Sequence, residues 1–280
     1  MQIITPAWLR RRPLPMPATG GKEERGSILV AAGAPQVPGA AILAATAALR
    51  AGAGKLKVAT APSMVSTIAV AIPEALVIAF PELARNARSA NAVVLGPGML
   101  EERECLDLIR ATVEQLDGPI LLDAAAITAL ARETKLLKRC KGAAVLTPHA
   151  GEMARLMGVE RESVEADPVS YATAAAQKFG AVVALKGAET YIASPRGDLL
   201  CNRAGTPGLA TSGSGDVLAG VIGGLLARGT PPLAATAWGV FLHARAGAAL
   251  TRKTGIGFLA RELPAEIPPL MRALGKKTHR

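Results

Sequence analysis

Short apolar runs alternate along this chain with longer segments whose apolar residues recur at helical spacing. "GSILVAAG" (26–33) reads as a buried strand that ends at glycine. "KLKVAT" (55–60), "EALVIAF" (74–80) and "NAVVLGPG" (91–98) read as further short strands. Between them "GAAILAATAALRAGAG" (39–54) and "PSMVSTIAVAI" (62–72) read as helices, the first stopped by glycine and the second opened by Pro62. "PELARNARSA" (81–90) predicts a short helix, and "EERECLDLIRATVEQL" (101–116) an amphipathic one with acids in its first turn.

The alternation then continues. "PILLDA" leads into "AAITALAR", "GAAVLTP" into "GEMARLMG", and a helix near 168–179 into "AVVALKG" (181–187). "TYIASPRGDLLCN" (190–202) predicts a hairpin turning about Pro195–Asp198. The last third predicts helices over 215–228, 231–250 and roughly 258–272. No internal repeat and no long polar linker interrupts the pattern. The expectation is one α/β domain over 1–280, three layers deep, with a largely parallel central sheet flanked by helices. Residues 1–25, rich in Pro and Arg, are expected to wrap its surface.

Composition narrows the function classes. Of 280 residues 50% are hydrophobic and 3% aromatic, so Ala, Val and Leu must build the core. No apolar run reaches the ~20 residues of a membrane span, and Arg10–Arg12 are not followed by the apolar stretch of a signal peptide. Three scattered cysteines, Cys105, Cys140 and Cys201, argue against a disulfide scaffold and fit a reducing cytoplasm. The formal charge of +10 is spread along the chain, apart from "LRRR" near the start and "GKKTHR" at the end, both read as solvated. With so few aromatic residues to stack bases, no nucleic-acid partner is expected. The positive excess suits a small polyanionic substrate instead.

Ligands of mostly parallel sheets bind at the carboxyl ends of the strands. Four motifs sit there: "GPG", "TPHAGE", "LKGAET" and "GSGD". In the last, Gly213, Ser214 and Gly215 precede Asp216 and a long apolar helix. A helix N-terminus with glycines is suited to cradle an anion. An aspartate there is either a helix cap or a catalytic base beside the bound phosphate. Lys186, at a strand end before Gly187, is either a surface lysine or a nucleotide contact. His149 and Glu152 either satisfy a helix start or face a ligand and a phosphate-held metal. Gly98 lies in a tight turn, "GPGM" (96–99), that is either structural or a close backbone approach to a ligand, and Ala41 in a helix start, "PGAA" (38–41), that alone says little. Asp123 has two equal readings, a structural turn or the site. His243, in an apolar helix, reads as packing or a helix contact. No Walker A pattern, no G-x-G-x-x-G after the first strand and no dedicated metal spacing occur.

Taken together, "GSILVAAGAPQVPGAAILAATAALRAGAG", "VVLGPGM", "LTPHAGEMARLMG", "VVALKGAET" and "AGTPGLATSGSGDVLAGVIGGLLARG" resemble the ADP/ATP-dependent NAD(P)H-hydrate dehydratases of the ribokinase-like superfamily. The segments come in the family's order and span about residues 20–270. The resemblance implies a ribokinase-like fold and a stand-alone dehydratase without an epimerase domain. It implies phosphorylation of the ring hydroxyl of hydrated NADH or NADPH, then loss of phosphate, with ADP or ATP as donor and Mg²⁺ as cofactor. By position, Asp216 matches the catalytic and substrate-contacting aspartate. Ala41, Gly98 and His149 match substrate contacts. Lys186, Gly187, Ala188, Glu189, Thr190 and Gly215 match the adenine-nucleotide site, and Glu152 the acid of the magnesium-associated motif. Relatives form symmetric oligomers, tetramers among them. Two departures stand out: Ala125 replaces the second acid of a frequent D-A-D, and "LARELP" replaces a frequent A-S-D-L.

Two other readings remain. A vitamin-alcohol kinase of the same superfamily, acting on a hydroxymethylpyrimidine, thiazole or pyridoxal alcohol, shares the glycine–acid turn. It would accumulate phosphorylated vitamin with ATP. A basic nucleic-acid-binding protein would show steeply salt-dependent binding.

Overall fold

The computed structural model describes residues 1–16 and 21–275; the basic residues 276–280 of the terminal cluster lie outside it. The elements in chain order are β1 (Gln2–Ile3), α1 (Pro6–Arg10), β2 (Ser27–Ala31), α2 (Gly39–Arg50), β3 (Lys55–Thr60), α3 (Val65–Ala71) and β4 (Ala75–Ala79). There follow α4 (Leu83–Ala87), β5 (Ala92–Leu95), α5 (Glu102–Val113), β6 (Ile120–Leu122), α6 (Ala125–Ala129), β7 (Ala144–Leu146) and α7 (Ala150–Met157). The chain ends with α8 (Arg161–Ala166), α9 (Pro168–Phe179), β8 (Ala181–Leu185), β9 (Thr190–Ala193), β10 (Leu199–Asn202), α10 (Ser214–Ala227), α11 (Pro232–Thr254) and α12 (Leu263–Gly275).

The strands form one sheet in the order β1-β10-β9-β8-β7-β6-β5-β2-β3-β4. Only the two pairings of β9 are antiparallel, as the hairpin expectation requires. Alternate residues of each buried strand face opposite layers, so a continuous apolar run serves both. Ile28 and Val30 join the core under α2, α10, α11 and α12, while Leu29 and Ala31 join the core under α4 to α9. Three layers with a largely parallel sheet are therefore observed as expected.

The first 25 residues do more than wrap the surface. β1 pairs in parallel with β10 at the sheet edge. Trp8 and Leu9 of α1 are buried, and the Trp238 indole donates to the Arg12 carbonyl at 2.7 Å. The last helix starts later than 258, because a 3₁₀ turn over Ala260–Glu262 precedes it.

Helices α2 and α10 pack backbone against backbone. A Cβ on Gly220 would stand 2.1 Å from the Ala44 carbonyl oxygen, and one on Gly224 2.4 Å from that of Ala48. Glycine and alanine at these positions let two helix backbones nearly touch. The N-termini of both helices consequently meet at the carboxyl edge of the sheet, where the motifs converge.

Candidate active site

The chain leaves β6 at Asp123 and turns through Ala124 at φ 50° and ψ −129°. A β-carbon makes this conformation costly, on the order of 1–3 kcal/mol. The turn is pressed against β5: a Cβ on Gly96 would lie 1.9 Å from the Asp123 carbonyl oxygen. The close approach expected of the "GPG" turn is thus made, at Gly96, to the protein's own backbone. Gly98 is packed in the same way against α2, where its Cβ would meet that of Ala40 at 2.3 Å. Ala41 is fully buried beside Gly33.

So placed, the Asp123 carboxylate is 3% exposed and needs partners. Its Oδ1 accepts from Thr147 Oγ1 at 2.7 Å and from Lys186 Nζ at 3.0 Å. Lys186 also lies 3.8 Å from Glu152 Oε2. Burial by itself would lower the lysine's pKa, but the carboxylates of Asp123 and Glu152 outweigh it and the net direction is upward. Lys186 is therefore a fixed positive charge among acids and not a mobile surface lysine.

His149 and Glu152 form a reciprocal cap on α7. His149 Nδ1 accepts from the Glu152 N–H at 3.1 Å, and Glu152 Oε2 accepts from the His149 N–H at 2.8 Å. Because Nδ1 is an acceptor, the ring proton sits on Nε2. Burial, stronger than the attraction of Glu152, lowers the imidazole's pKa and keeps it neutral. The half-exposed ring edge remains open to a ligand. Glu152 Oε1 accepts no hydrogen bond among the described residues, its nearest basic neighbour being His149 Nε2 at 3.5 Å.

α10 begins at Ser214 after Gly213 at φ 86°, and its first turn faces this cluster. A Cβ on Gly215 would lie 3.5 Å from Lys186 Nζ and 3.9 Å from Asp123 Oδ2. Among the described residues no backbone partner meets the N–H groups of Gly215 and Asp216. Two oriented donors next to an ammonium make an anion cradle. Among the described residues the Asp216 side chain accepts no hydrogen bond, so it is not a side-chain cap. Burial, with the nearby Asp123 charge adding and Lys186 opposing, pushes its pKa up to about 7. That is where a general base works best near neutral pH.

His243 of α11 braces this turn from behind. Its Nε2 lies 3.0 Å from both the carbonyl oxygen and Oγ of Ser214. A carbonyl only accepts, so Nε2 carries the proton. Burial pushes the ring's pKa down to about 4, and it is neutral near pH 7. The helix contact read from sequence is present, with a definite partner. Further along the "LKGAET" loop, Glu189 accepts from Tyr191 Oη at 2.7 Å and pairs with Arg203 Nε at 2.8 Å. Asp123 and Thr147 are the members of the cluster that sequence reasoning left undecided or did not single out. A strand-end acid was the only local signal.

An α/β sheet with this strand order, and an anion cradle and buried acid at its carboxyl edge, defines a ribokinase-like protein. Known sequences refine the class. The sequence profile of the NAD(P)H-hydrate dehydratases matches residues 28–269. An ADP-dependent (S)-NAD(P)H-hydrate dehydratase of Xanthomonas campestris is 46% identical over 97% of this chain and 96% of its own. A bifunctional NAD(P)H-hydrate repair enzyme of Moorella thermoacetica is 37% identical over 98% of this chain, which spans 54% of that longer protein. The crystal structure of an ADP/ATP-dependent NAD(P)H-hydrate dehydratase from Bacillus subtilis, co-crystallized with ATP/Mg²⁺, superposes with a TM-score of 0.85 at 30% identity, covering 98% of each chain. The chain belongs to the NAD(P)H-hydrate dehydratase family.

Proposed function

We propose that this protein restores NADH and NADPH from their 6S hydrates, using ADP or ATP as phosphoryl donor. The observation that carries the reading is Asp216, a partly buried acid with its pKa raised to about 7 beside an anion cradle. The hydroxyl oxygen on the reduced nicotinamide ring attacks the terminal phosphoryl group, and its proton passes to Asp216. The bond from that phosphorus to the nucleotide's bridging oxygen breaks. Phosphate then departs with the electrons of the ring C–O bond. Loss of a proton from the adjacent carbon restores the ring double bond. The Gly215 and Asp216 N–H groups and the Lys186 ammonium stabilise charge on the transferring group, where such donors act most strongly.

In this reading Lys186 to Thr190 and Gly215 hold the adenine nucleotide. Gly98, His149 and Asp216 face the dinucleotide, and the buried Ala41 shapes the helix start beneath it. Among the described residues no group of three His, Cys, Asp or Glu side chains forms a metal cage. Carboxylate oxygens of Glu152 and Asp123 nonetheless suit Mg²⁺, which keeps waters and is shared with substrate phosphates. Bound with the nucleotide, Mg²⁺ would neutralise phosphate charge. The continuous sheet from residue 2 to residue 202 supports one domain. We place the protein in the cytoplasm as a homo-oligomer, a tetramer among the options; among the described residues no helix is long and apolar enough to cross a membrane.

The test incubates purified protein with hydrated NADPH, magnesium and either ADP or ATP. Recovery of reduced-nicotinamide absorbance, dependent on the nucleotide, is expected. Phosphorylation of a vitamin alcohol with no recovered absorbance would replace this reading with the kinase one.

A further inference from the structure

At the opposite end of the sheet from Asp216 lies a cavity of about 940 Å³. It sits at the C-terminal ends of α2 and α10. The 14 residues of α10 put its far end about 20 Å from the active site, at 1.5 Å per residue. Five arginines line it: Arg10, Arg25, Arg50, Arg228 and Arg272. Among the described residues no acidic one lines it. None of the five enters an ion pair among the described residues. A smaller cavity of about 340 Å³ shows the contrast, for its Arg110 is paired with both Asp107 and Glu133.

Helix capping accounts for part of the cluster. Arg228 Nη1 donates to the Ala51 carbonyl at 3.0 Å and Arg25 Nε to that of Gly52 at 3.2 Å. The C-terminal ends of α2, α10 and α12 carry roughly −0.5 charge each, so about one and a half of five positive charges are offset. Arg228 also gives its Nη2 to the Pro15 carbonyl and Met16 Sδ, but each guanidinium has five donors, and among the described residues the side chains of Arg10, Arg50 and Arg272 donate no hydrogen bond. The Arg228 guanidinium is moreover held below its ordinary pKa, first by burial and then by Arg25. An anion between these arginines would relieve both effects. The remaining wall is apolar, with Leu14, Leu49, Met271 and Leu274. Its volume falls in the range of small-molecule sites, about 300–1,000 Å³.

We propose that this arginine-lined cavity binds a soluble organic phosphate that carries an apolar body. The phosphate sits among the guanidiniums, and the apolar part lies on the leucine and methionine wall. A concave site with a cationic wall beside an apolar one favours a free molecule that spans both over a flat lipid surface.

The experiment titrates the full chain with n-decyl phosphate below its micelle concentration, by calorimetry. Decanol, inorganic phosphate and phosphatidylglycerol vesicles are the comparisons. Saturable, salt-sensitive binding is expected, undiminished by saturating ADP. Loss of two charge-assisted contacts in R50Q/R272Q should weaken it about tenfold or more. Both residues are exposed, so the variant should melt as the parent does. The lysine pair R50K/R272K should retain part of the affinity. Equal affinity for decanol, displacement by ADP, an unchanged R50Q/R272Q titration, preference for vesicles, or no binding would each overturn the proposal.

Discussion

Exchange of Asp216 for Asn separates catalysis from stability at a single atom pair. The Asp216 carboxylate is partly buried, accepts no hydrogen bond among the described residues, and lies near the Asp123 charge. Its pKa rises from the ordinary 3.8 to about 7. The folded protein therefore holds a proton that the unfolded chain releases between these two pH values. Below about pH 4 both states are protonated and the group contributes nothing. As pH rises toward 7 the wild type loses stability, and above 7 the full cost is present. At ~1.4 kcal/mol per pH unit the ceiling is about 4 kcal/mol, reduced by solvent screening of a part-exposed group. Asn has the same size and no charge. D216N should thus melt like the wild type at about pH 4 and higher than it at about pH 8. Each kcal/mol is worth about 2–4 °C in a domain of this size. Turnover of hydrated NADPH should fall about 10²–10⁴-fold, the usual contribution of a positioned base. Differential scanning calorimetry at both pH values and the absorbance assay are the measurements. A D216N protein that keeps wild-type turnover, or whose melting difference does not grow with pH, would refute the argument.

Other perturbations test the surrounding network. Lys186→Ala removes the one ammonium between Asp123 and Glu152 and should weaken ADP about tenfold or more, read by calorimetry. Because Lys186 holds the Asp216 pKa down, the same variant should shift the pH–rate profile upward. His243 has its pKa lowered to about 4 by burial, so wild-type stability should fall as pH drops from about 6.5 toward 4. H243Q, which cannot titrate but can donate to Ser214, should lose less stability over that window in urea unfolding. Gly220→Ala should cost about 1–3 kcal/mol, because its methyl group meets the Ala44 carbonyl at 2.1 Å. A melting temperature unchanged from wild type would contradict the close helix contact.

Much of the fold was legible in local pattern. β2 to β9, the hairpin and the long C-terminal helices follow from apolar runs, helical spacing and glycine or proline punctuation. β1 escaped notice because two residues carry no periodicity, and α8 because its six residues blend into a polar connection. Of the site, Asp216 and Glu152 were legible as acids at helix starts. Asp123 was undecided because its partners are Thr147 and Lys186, 24 and 63 residues away. The "GPG" segment was legible as a tight turn, and its Gly96 packs on the Asp123 backbone.

The sequence by itself determined the alternation of strand and helix, the double-faced burial of the strands and the glycine–acid turn ahead of α10. These depend on neighbours two to four residues apart, which the chain order states directly. Tertiary structure alone decided that β5 lies beside β2, that Lys186 points into a group of acids, and that Asp216 titrates near pH 7. A carboxylate's proton affinity depends on desolvation and on charges within a few ångströms, whatever their distance along the chain. Packing set those distances, and with them turned a common Gly-Ser-Gly-Asp turn into a candidate base.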